Sequence, residues 1–165
     1  MFRLVMLNPV FQRPASLPQL AMPSAVTDAI RPYLRNLIDQ IDGPTAAIAT
    51  DAWWSDLLPA DAATIHCSTD LTAGMTVLCV NRLRGLLPVD WLSAAGASVI
   101  YAEAAQHHAR HFARPRFGPL DVTGTLWTAG LSTIDVHRPV IDAVDGRWEL
   151  AIGRARPTPR QLIPE

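Results

Sequence analysis

Apolar residues recur near the start of the chain at the spacing of an amphipathic helix. The positions are Val26, Ile30, Leu34, Leu37, Ile38 and Ile41. Ser24 precedes them as a candidate N-cap, and Gly43-Pro44 ends the pattern. Pro32 interrupts the pattern and marks a candidate kink. The spacing predicts one helix with a single apolar face.

Short apolar runs rich in β-forming residues follow this helix. They are Thr45–Thr50, Ala63–Ser68, Met75–Val80 and Ala97–Glu103. Two helical candidates, Ala52–Leu58 and Pro88–Ala95, separate some of the runs. Continuous apolar strands that alternate with helices are typical of a largely parallel sheet covered on both faces. The pattern therefore predicts an α/β protein with three layers.

The last part of the chain has a different pattern. A short helix ends at Gly130, a strand runs from Ser132 to about Val140, and a closing strand covers Arg147–Arg154. Asp145-Gly146 lies between the two β-rich runs, which is a strong hairpin signal. This part predicts a C-terminal antiparallel hairpin.

Composition indicates one compact domain. The chain has 165 residues, of which 49% are apolar and 18% charged, which is enough apolar material for a core of its own. Residues 8–23 contain four prolines, so we interpret residues 1–23 as an irregular N-terminal arm of a single 1–165 domain. No repeat or linker divides the rest.

Charge and residue usage exclude several classes of function. The net charge is −1, so bulk electrostatics attract neither nucleic acid nor an anionic membrane. All 14 basic residues are Arg, which excludes a Schiff-base lysine and a P-loop lysine. No apolar run approaches the length of about 18 residues that a membrane span needs.

The cysteines and the N-terminus indicate the cellular compartment. Cys67 and Cys79 lack metal-ligand spacing, and each lies in a β-like run where free thiols are common. No small-residue cleavage site follows the apolar N-terminus. We therefore expect a cytoplasmic protein without structural metal.

Residues 107–117 form a basic segment with several candidate chemistries. It contains three histidines, three arginines and two phenylalanines: His107, His108, Arg110, His111, Phe112, Arg114, Arg116 and Phe117. His107 and His111 have the spacing of a helical metal pair, but no carboxylate or Cys accompanies them. Arginine beside aromatic rings can bind a phosphate or a nucleobase. We expect a surface loop or a protein contact in preference to either.

Several motifs resemble class I S-adenosylmethionine-dependent methyltransferases, in particular small enzymes related to ubiquinone biosynthesis. They are Asn8-Pro9-Val10-Phe11, the MTVLCVN strand, Ala95-Gly96 before ASVIYAE, and the tail from Leu126 to Pro157. The resemblance implies a Rossmann-like sheet of seven strands in the order 3-2-1-4-5-7-6.

Two assignments of the first strands are open. The preferred one makes Thr45–Thr50 strand 1 and Ala63–Ser68 strand 2. Only residues 69–74 then precede the next strand, which leaves no room for edge strand 3. The rival assignment makes residues 2–8 strand 1. We prefer the first, because losing an edge strand leaves fewer backbone groups unpaired than losing a central one.

The resemblance implies a glycine-rich turn after strand 1, where backbone closely approaches the cofactor. This chain has Asp51, Trp53 and Trp54 there instead. We expect the two indoles to occlude the site, so that S-adenosylmethionine binds weakly or not at all. If the cofactor binds, it lies against these residues and Asp70, the acid nearest the end of strand 2. A turn or capping role for Asp70 is the alternative.

Tyr101 and Glu103 lie toward the carboxyl end of a predicted parallel strand, where α/β proteins place ligands. We name them as candidate pocket residues. No catalytic residue is assigned.

Three functions follow from these observations. The leading one is a catalytically degenerate methyltransferase-fold protein that binds a protein partner or a small molecule. The others are an active, divergent methyltransferase and a binding module that uses the basic 107–117 loop. Because strand 2 becomes an open edge, we also expect self-association or a protein complex, with residues 8–23 or 63–68 in the contact.

Overall fold

The computed structural model describes residues 22–48, 52–80, 89–107 and 119–159, and the structural statements that follow concern these residues. Its helices are α1 (Ser24–Ile38), α2 (Val89–Ala95) and α3 (Pro119–Thr128). Its strands are β1 (Thr45–Ala47), β2 (Ala63–Thr64), β3 (Thr76–Val80), β4 (Ser98–His107), β5 (Leu131–His137), β6 (Val140–Ala143) and β7 (Gly146–Pro157).

The strands form one mixed sheet in the order β2-β1-β3-β4-β7-β5, and β6 also pairs with β7. The pairs β1–β2, β1–β3 and β3–β4 are parallel. β7 is antiparallel to β4, β5 and β6. The predicted α/β sheet with an antiparallel C-terminal part is confirmed.

The position of β1 confirms the preferred strand assignment. β1 lies between β2 and β3, as strand 1 does in the order 3-2-1-4-5-7-6. Within the described ranges no strand lies beyond β2, so strand 3 is missing from this order. The rival strand at residues 2–8 lies outside the described residues.

Both faces of the sheet are covered. One core cluster joins α1 to the sheet and includes Ile30, Leu34, Leu78, Ile100 and Trp148. The cluster on the opposite face joins α2 and α3 to the sheet and includes Leu92, Val122, Leu126, Val77 and Tyr101. The three-layer prediction is therefore confirmed.

α1 forms from the apolar spacing that the sequence contains. Its buried residues are Val26, Ile30, Leu34, Leu37 and Ile38. Burial of each such side chain contributes about 1.5–3 kcal/mol. The expected cap at Ser24 is wrong: Pro23 is the N-cap, and Ser24 is the first helical residue. Proline suits this place because its missing N–H would have no intrahelical partner.

The chain between β1 and β3 is less regular than predicted. The expected helix Ala52–Leu58 is a single 3-10 turn, Ser55–Leu57. The expected strand Ala63–Ser68 has only two paired residues, and a second 3-10 turn covers Ser68–Asp70. Side chain to backbone bonds compete with regular structure in such short segments.

The C-terminal antiparallel hairpin is confirmed, with different strand bounds and a turn one residue earlier than predicted. The strand predicted for residues 132–140 is interrupted at residues 138–139 and continues as β6. Pro139 has no N–H to donate to a ladder. Ala143 pairs with Gly146, so Val144 and Asp145 form the turn. The Nε1 of Trp148 donates a hydrogen bond of 2.9 Å to Asp145 Oδ1.

Candidate functional site

Ligands of open parallel sheets bind beyond the carboxyl ends of the strands. In this protein the described residues near those ends are the β1–β2 connection (residues 52–62), the turn after β2 and the second half of β4. Asp51 and the basic segment after His107 lie outside the described residues. The candidate site is therefore built from these three segments.

Trp54 anchors the β1–β2 connection in the core. Its side chain is fully buried in the cluster beneath α1, and Trp53 packs against the same cluster. Sequence analysis placed both indoles in the cofactor space, whereas the structure places Trp54 inside the layer that joins α1 to the sheet. The Nε1 of Trp54 has no hydrogen-bond acceptor within the described residues.

The Arg31 side chain of α1 forms hydrogen bonds with the same connection. Its Nη1 and Nη2 donate to Asp56 Oδ1 and Oδ2 at 2.9 and 2.8 Å. Its Nη1 also donates to the backbone oxygen of Trp53. A bidentate arginine fixes orientation as well as distance, so the connection has one position relative to α1.

The Arg31–Asp56 hydrogen bonds shift both groups toward their charged forms. They raise the pKa of Arg31 and lower the pKa of Asp56, and burial opposes the shift in each case. The Asp56 side chain is 61% exposed. Because water screens an exposed pair, its effect is on the geometry of the connection more than on stability.

Asp70 closes the turn that follows β2. Its Oδ2 accepts hydrogen bonds from the backbone N–H of His66 at 2.8 Å and of Cys67 at 3.0 Å. The His66 bond, followed by the Cys67 bond, lowers the pKa of this carboxyl group. The geometry agrees with the capping role that the sequence left open beside a cofactor role.

Tyr101 and Glu103 project from the same face of β4, because they are two residues apart in a strand. Tyr101 is fully buried and Glu103 is 4% exposed. Burial raises the pKa of Tyr101 to about 12, while the positive charge of Arg138 opposes the rise. Tyr101 is therefore a neutral hydrogen-bond donor at physiological pH.

Gly153 of β7 makes room for the Tyr101 hydroxyl. The two residues pair across β4 and β7. A Cβ atom at position 153 would lie 2.9 Å from Tyr101 Oη and 3.2 Å from the backbone oxygen of Asp135. Asp135 has a φ of 52° and lies at a register shift in β5. Sequence analysis missed both residues, although a glycine inside a strand is a signal of close approach.

Tyr101 and Glu103 share one face of β4, whereas the predicted cofactor residues Trp54 and Asp70 lie in two other segments. The Trp54 side chain lies in the core, and the Asp70 carboxylate is bonded to its own turn. β1 and β3 lie between β2 and β4, a separation of about 14 Å at the usual strand spacing. Cofactor and pocket roles for these residues stay predictions.

The described ranges contain no group of three or more His, Cys, Asp or Glu side chains placed to hold a metal ion. Cys67 and Cys79, the two cysteines of the chain, are not joined in a disulfide. Within the same ranges no helix is long and apolar enough to cross a membrane.

Comparison with known proteins gives a distant structural likeness. No family model matches the chain. No curated protein matches it. Among solved structures, the chain is similar to magnesium protoporphyrin IX methyltransferase from Synechocystis PCC 6803 with bound SAM, at 12% identity and a TM-score of 0.45. The match covers 81% of this chain and 78% of that chain. A likeness this distant assigns no function, so the strand order alone carries the conclusion: the described residues form a Rossmann-like α/β sheet with an antiparallel C-terminal part.

Proposed function

We propose that this protein has a catalytically degenerate methyltransferase-like fold and acts by binding a protein partner or a small molecule, in the cytoplasm. The observation that carries the proposal is the β1–β2 connection. In Rossmann-like proteins this connection supplies a close backbone approach and the N-terminus of a helix to the ligand. Here residues 52–62 contain one 3-10 turn and no α-helix.

The packing of the connection supports the same proposal. The fully buried Trp54 side chain and the Arg31 hydrogen bonds to Trp53 and Asp56 hold the segment against α1. Residues 52–62 contain no glycine and no α-helix, so this segment offers S-adenosylmethionine neither the glycine turn nor the helix N-terminus of a Rossmann-like site.

Asp70 supports the proposal as well. A carboxylate that binds ribose hydroxyls has its oxygens directed at the ligand. Asp70 Oδ2 instead accepts two backbone hydrogen bonds of its own turn. Substituting this residue is expected to change the turn and leave cofactor affinity unaffected.

Calorimetry with S-adenosylmethionine tests the proposal. We expect no heat of binding at cofactor concentrations up to about 1 mM, a value that corresponds to a free energy of about −4 kcal/mol. Dissociation constants in the micromolar range would overturn it. Asp70→Asn is the matched variant: if the wild-type protein binds and this variant does not, the active-enzyme alternative gains direct support.

A divergent, active methyltransferase is the second candidate. Tyr101 and Glu103 favour it, because both are polar, buried and on one face of β4 toward its carboxyl end. Transfer of a labelled methyl group from S-adenosylmethionine to small-molecule acceptors, lost in Glu103→Gln, would establish this alternative. The third hypothesis, a module using the basic 107–117 loop, rests on residues beyond the described ranges and stays a prediction.

The proposed partner contact is the β2 edge of the sheet. Ala63 and Thr64 are exposed, and among the described strands β2 pairs with β1 alone. The two-residue length limits the backbone bonds that a partner strand can add.

Thr64→Pro removes one backbone donor at this edge and is expected to weaken any self-association measured by light scattering. A constant monomer mass in the wild-type protein at all concentrations would contradict the predicted self-association. The other predicted contact, residues 8–23, lies almost entirely outside the described residues.

A further inference from the structure

An exposed indole and an exposed glycine, whose backbone oxygen accepts a hydrogen bond of 2.9 Å from Thr128 Oγ1, lie side by side on α3. The Trp127 side chain is 67% exposed, whereas Trp54 and Trp148 are fully buried. Gly124 precedes it by three residues, and positions i and i+3 are neighbours on a helix surface. We call this pair, Gly124 and Trp127, the α3 notch.

Nothing within the described residues requires a glycine at position 124. A Cβ atom there would meet no atom within 4 Å. Glycine inside a helix is less favourable than alanine, because it loses more backbone entropy on folding. The open space at Gly124 allows another segment to approach the helix backbone closely.

The end of β7 lies beside the last turn of α3. The Gly130 backbone N–H donates to the Trp127 oxygen at 2.9 Å, and the Gly130 oxygen accepts from the Thr158 N–H at 2.9 Å. The hydroxyl groups of Thr158 and Ser132 are 2.8 Å apart. The chain therefore leaves the sheet next to the α3 notch.

The sequence that follows Pro159 suits this surface. It reads Arg160-Gln161-Leu162-Ile163-Pro164-Glu165, an apolar pair within a polar segment. Leu162 and Ile163 are three and four residues beyond Pro159, so an extended chain carries them about 10–14 Å from it. Gly124 is about 9 Å along the helix from Gly130, at 1.5 Å per residue. Pro159 and Pro164 restrict the backbone, which lowers the entropy lost when the segment is ordered.

We propose that Leu162 and Ile163 dock in the α3 notch of the same chain. The indole of Trp127 supplies a flat apolar wall, and the missing side chain at Gly124 lets an aliphatic group approach the helix. The contact removes apolar surface from water on both sides. Its test does not depend on cofactor binding.

Nuclear magnetic resonance of the full-length protein tests the docking. The indole N–H signal of Trp127 is assigned by its loss in Trp127→Phe. We expect Leu162→Ser with Ile163→Ser to move this signal, and Gln161→Ser to leave it in place. An unmoved signal in the double variant overturns the proposal. A signal that moves with protein concentration also overturns it, because a second copy then occupies the notch.

Thermal unfolding gives an independent readout. Removal of residues 160–165 is expected to lower the Tm by about 2–4 °C, the shift typical of one weak apolar contact in a chain of this size. Trp127→Ala is expected to lower the Tm of the full chain and to leave the shortened chain unaffected. Equal effects of Trp127→Ala in both backgrounds would show that the segment does not touch Trp127.

Discussion

The two ends of the sheet differ in how they are held. At the β2–β1 end the strands are two and three residues long. Trp54 and Arg31 hold the connection between them, and Asp70 holds the turn after β2. At the other end β4 and β7 pair over nine residues. Backbone hydrogen bonds hold the C-terminal strands together. A few individual side chains hold the β2–β1 edge of the sheet, whose connection contributes to the nucleotide site in Rossmann-like proteins. Single substitutions should therefore have specific, local effects at the first end.

Truncation of Trp54 tests this contrast with the largest expected effect. Trp54→Ala should lower the free energy of unfolding by about 3–5 kcal/mol, because it opens a cavity in the α1-side core. Trp54 is the one fully buried residue of the connection between positions 52 and 62. Urea unfolding measures the loss. Trp53→Ala, at a half-buried position, is the control and should cost less; equal losses would show that Trp54 does not anchor the segment.

Crowding across the β4–β7 ladder gives the next largest effect. Gly153→Ala should destabilise the protein by about 1–3 kcal/mol, as overpacking of a filled core does. The added methyl group would lie 2.9 Å from Tyr101 Oη. Adding Tyr101→Phe removes that oxygen and should recover part of the loss in the same unfolding measurement. Failure of the second substitution to help would place the strain elsewhere, for example at Asp135.

A matched pair of indole replacements compares the two ends directly. Trp148 Nε1 donates to Asp145, whereas Trp54 Nε1 has no acceptor among the described residues. Trp148→Phe should therefore cost about 1 kcal/mol more than Trp54→Phe, since the first loses a hydrogen bond and the second removes an unsatisfied donor. Chemical unfolding of both variants under the same conditions measures the difference. The opposite ranking would mean that Trp54 Nε1 finds a partner in solution.

Acid titration tests the turn after β2, with the smallest expected effect. The folded pKa of Asp70 is lowered, so its carboxylate contributes stability that is present above the unfolded pKa and lost as pH falls through the folded pKa. Asp70→Ala should lower the Tm near pH 7, and the difference from the wild type should shrink below about pH 4. A difference that does not change with pH would assign the effect to the turn backbone and not to the charge.

Much of the fold could be predicted from the sequence, because it depends on patterns that span many residues. The apolar spacing predicts α1, and the resemblance to methyltransferases implies that β1 lies inside the sheet. Local structure after β1 was harder to predict. The Asp70 bonds, which turn the chain out of β2, and the missing N–H of Pro139 act within a few residues. Sequence periodicity does not detect such contacts.

The candidate site shows the same limit. Tyr101 and Glu103 share a face because strand periodicity is regular, so their proximity follows from the sequence. The contact of Tyr101 with Gly153 joins residues that are distant in the chain and depends on the β4–β7 register. The burial of Trp54 depends on its packing among side chains of α1 and the sheet, which are distant from it in the chain. Both require knowledge of the tertiary structure.

The place of β7 in the sheet has a consequence for synthesis of the protein on the ribosome. β7 lies between β4 and β5, although β5 precedes it in the chain. When residues up to 145 have emerged, β4 has an open edge and β5 has no neighbouring strand with which to pair. Such unpaired strands are exposed to chaperones and to aggregation. Completion of the described sheet therefore requires β7, and chains that end before Gly146 should leave the facing edges of β4 and β5 open.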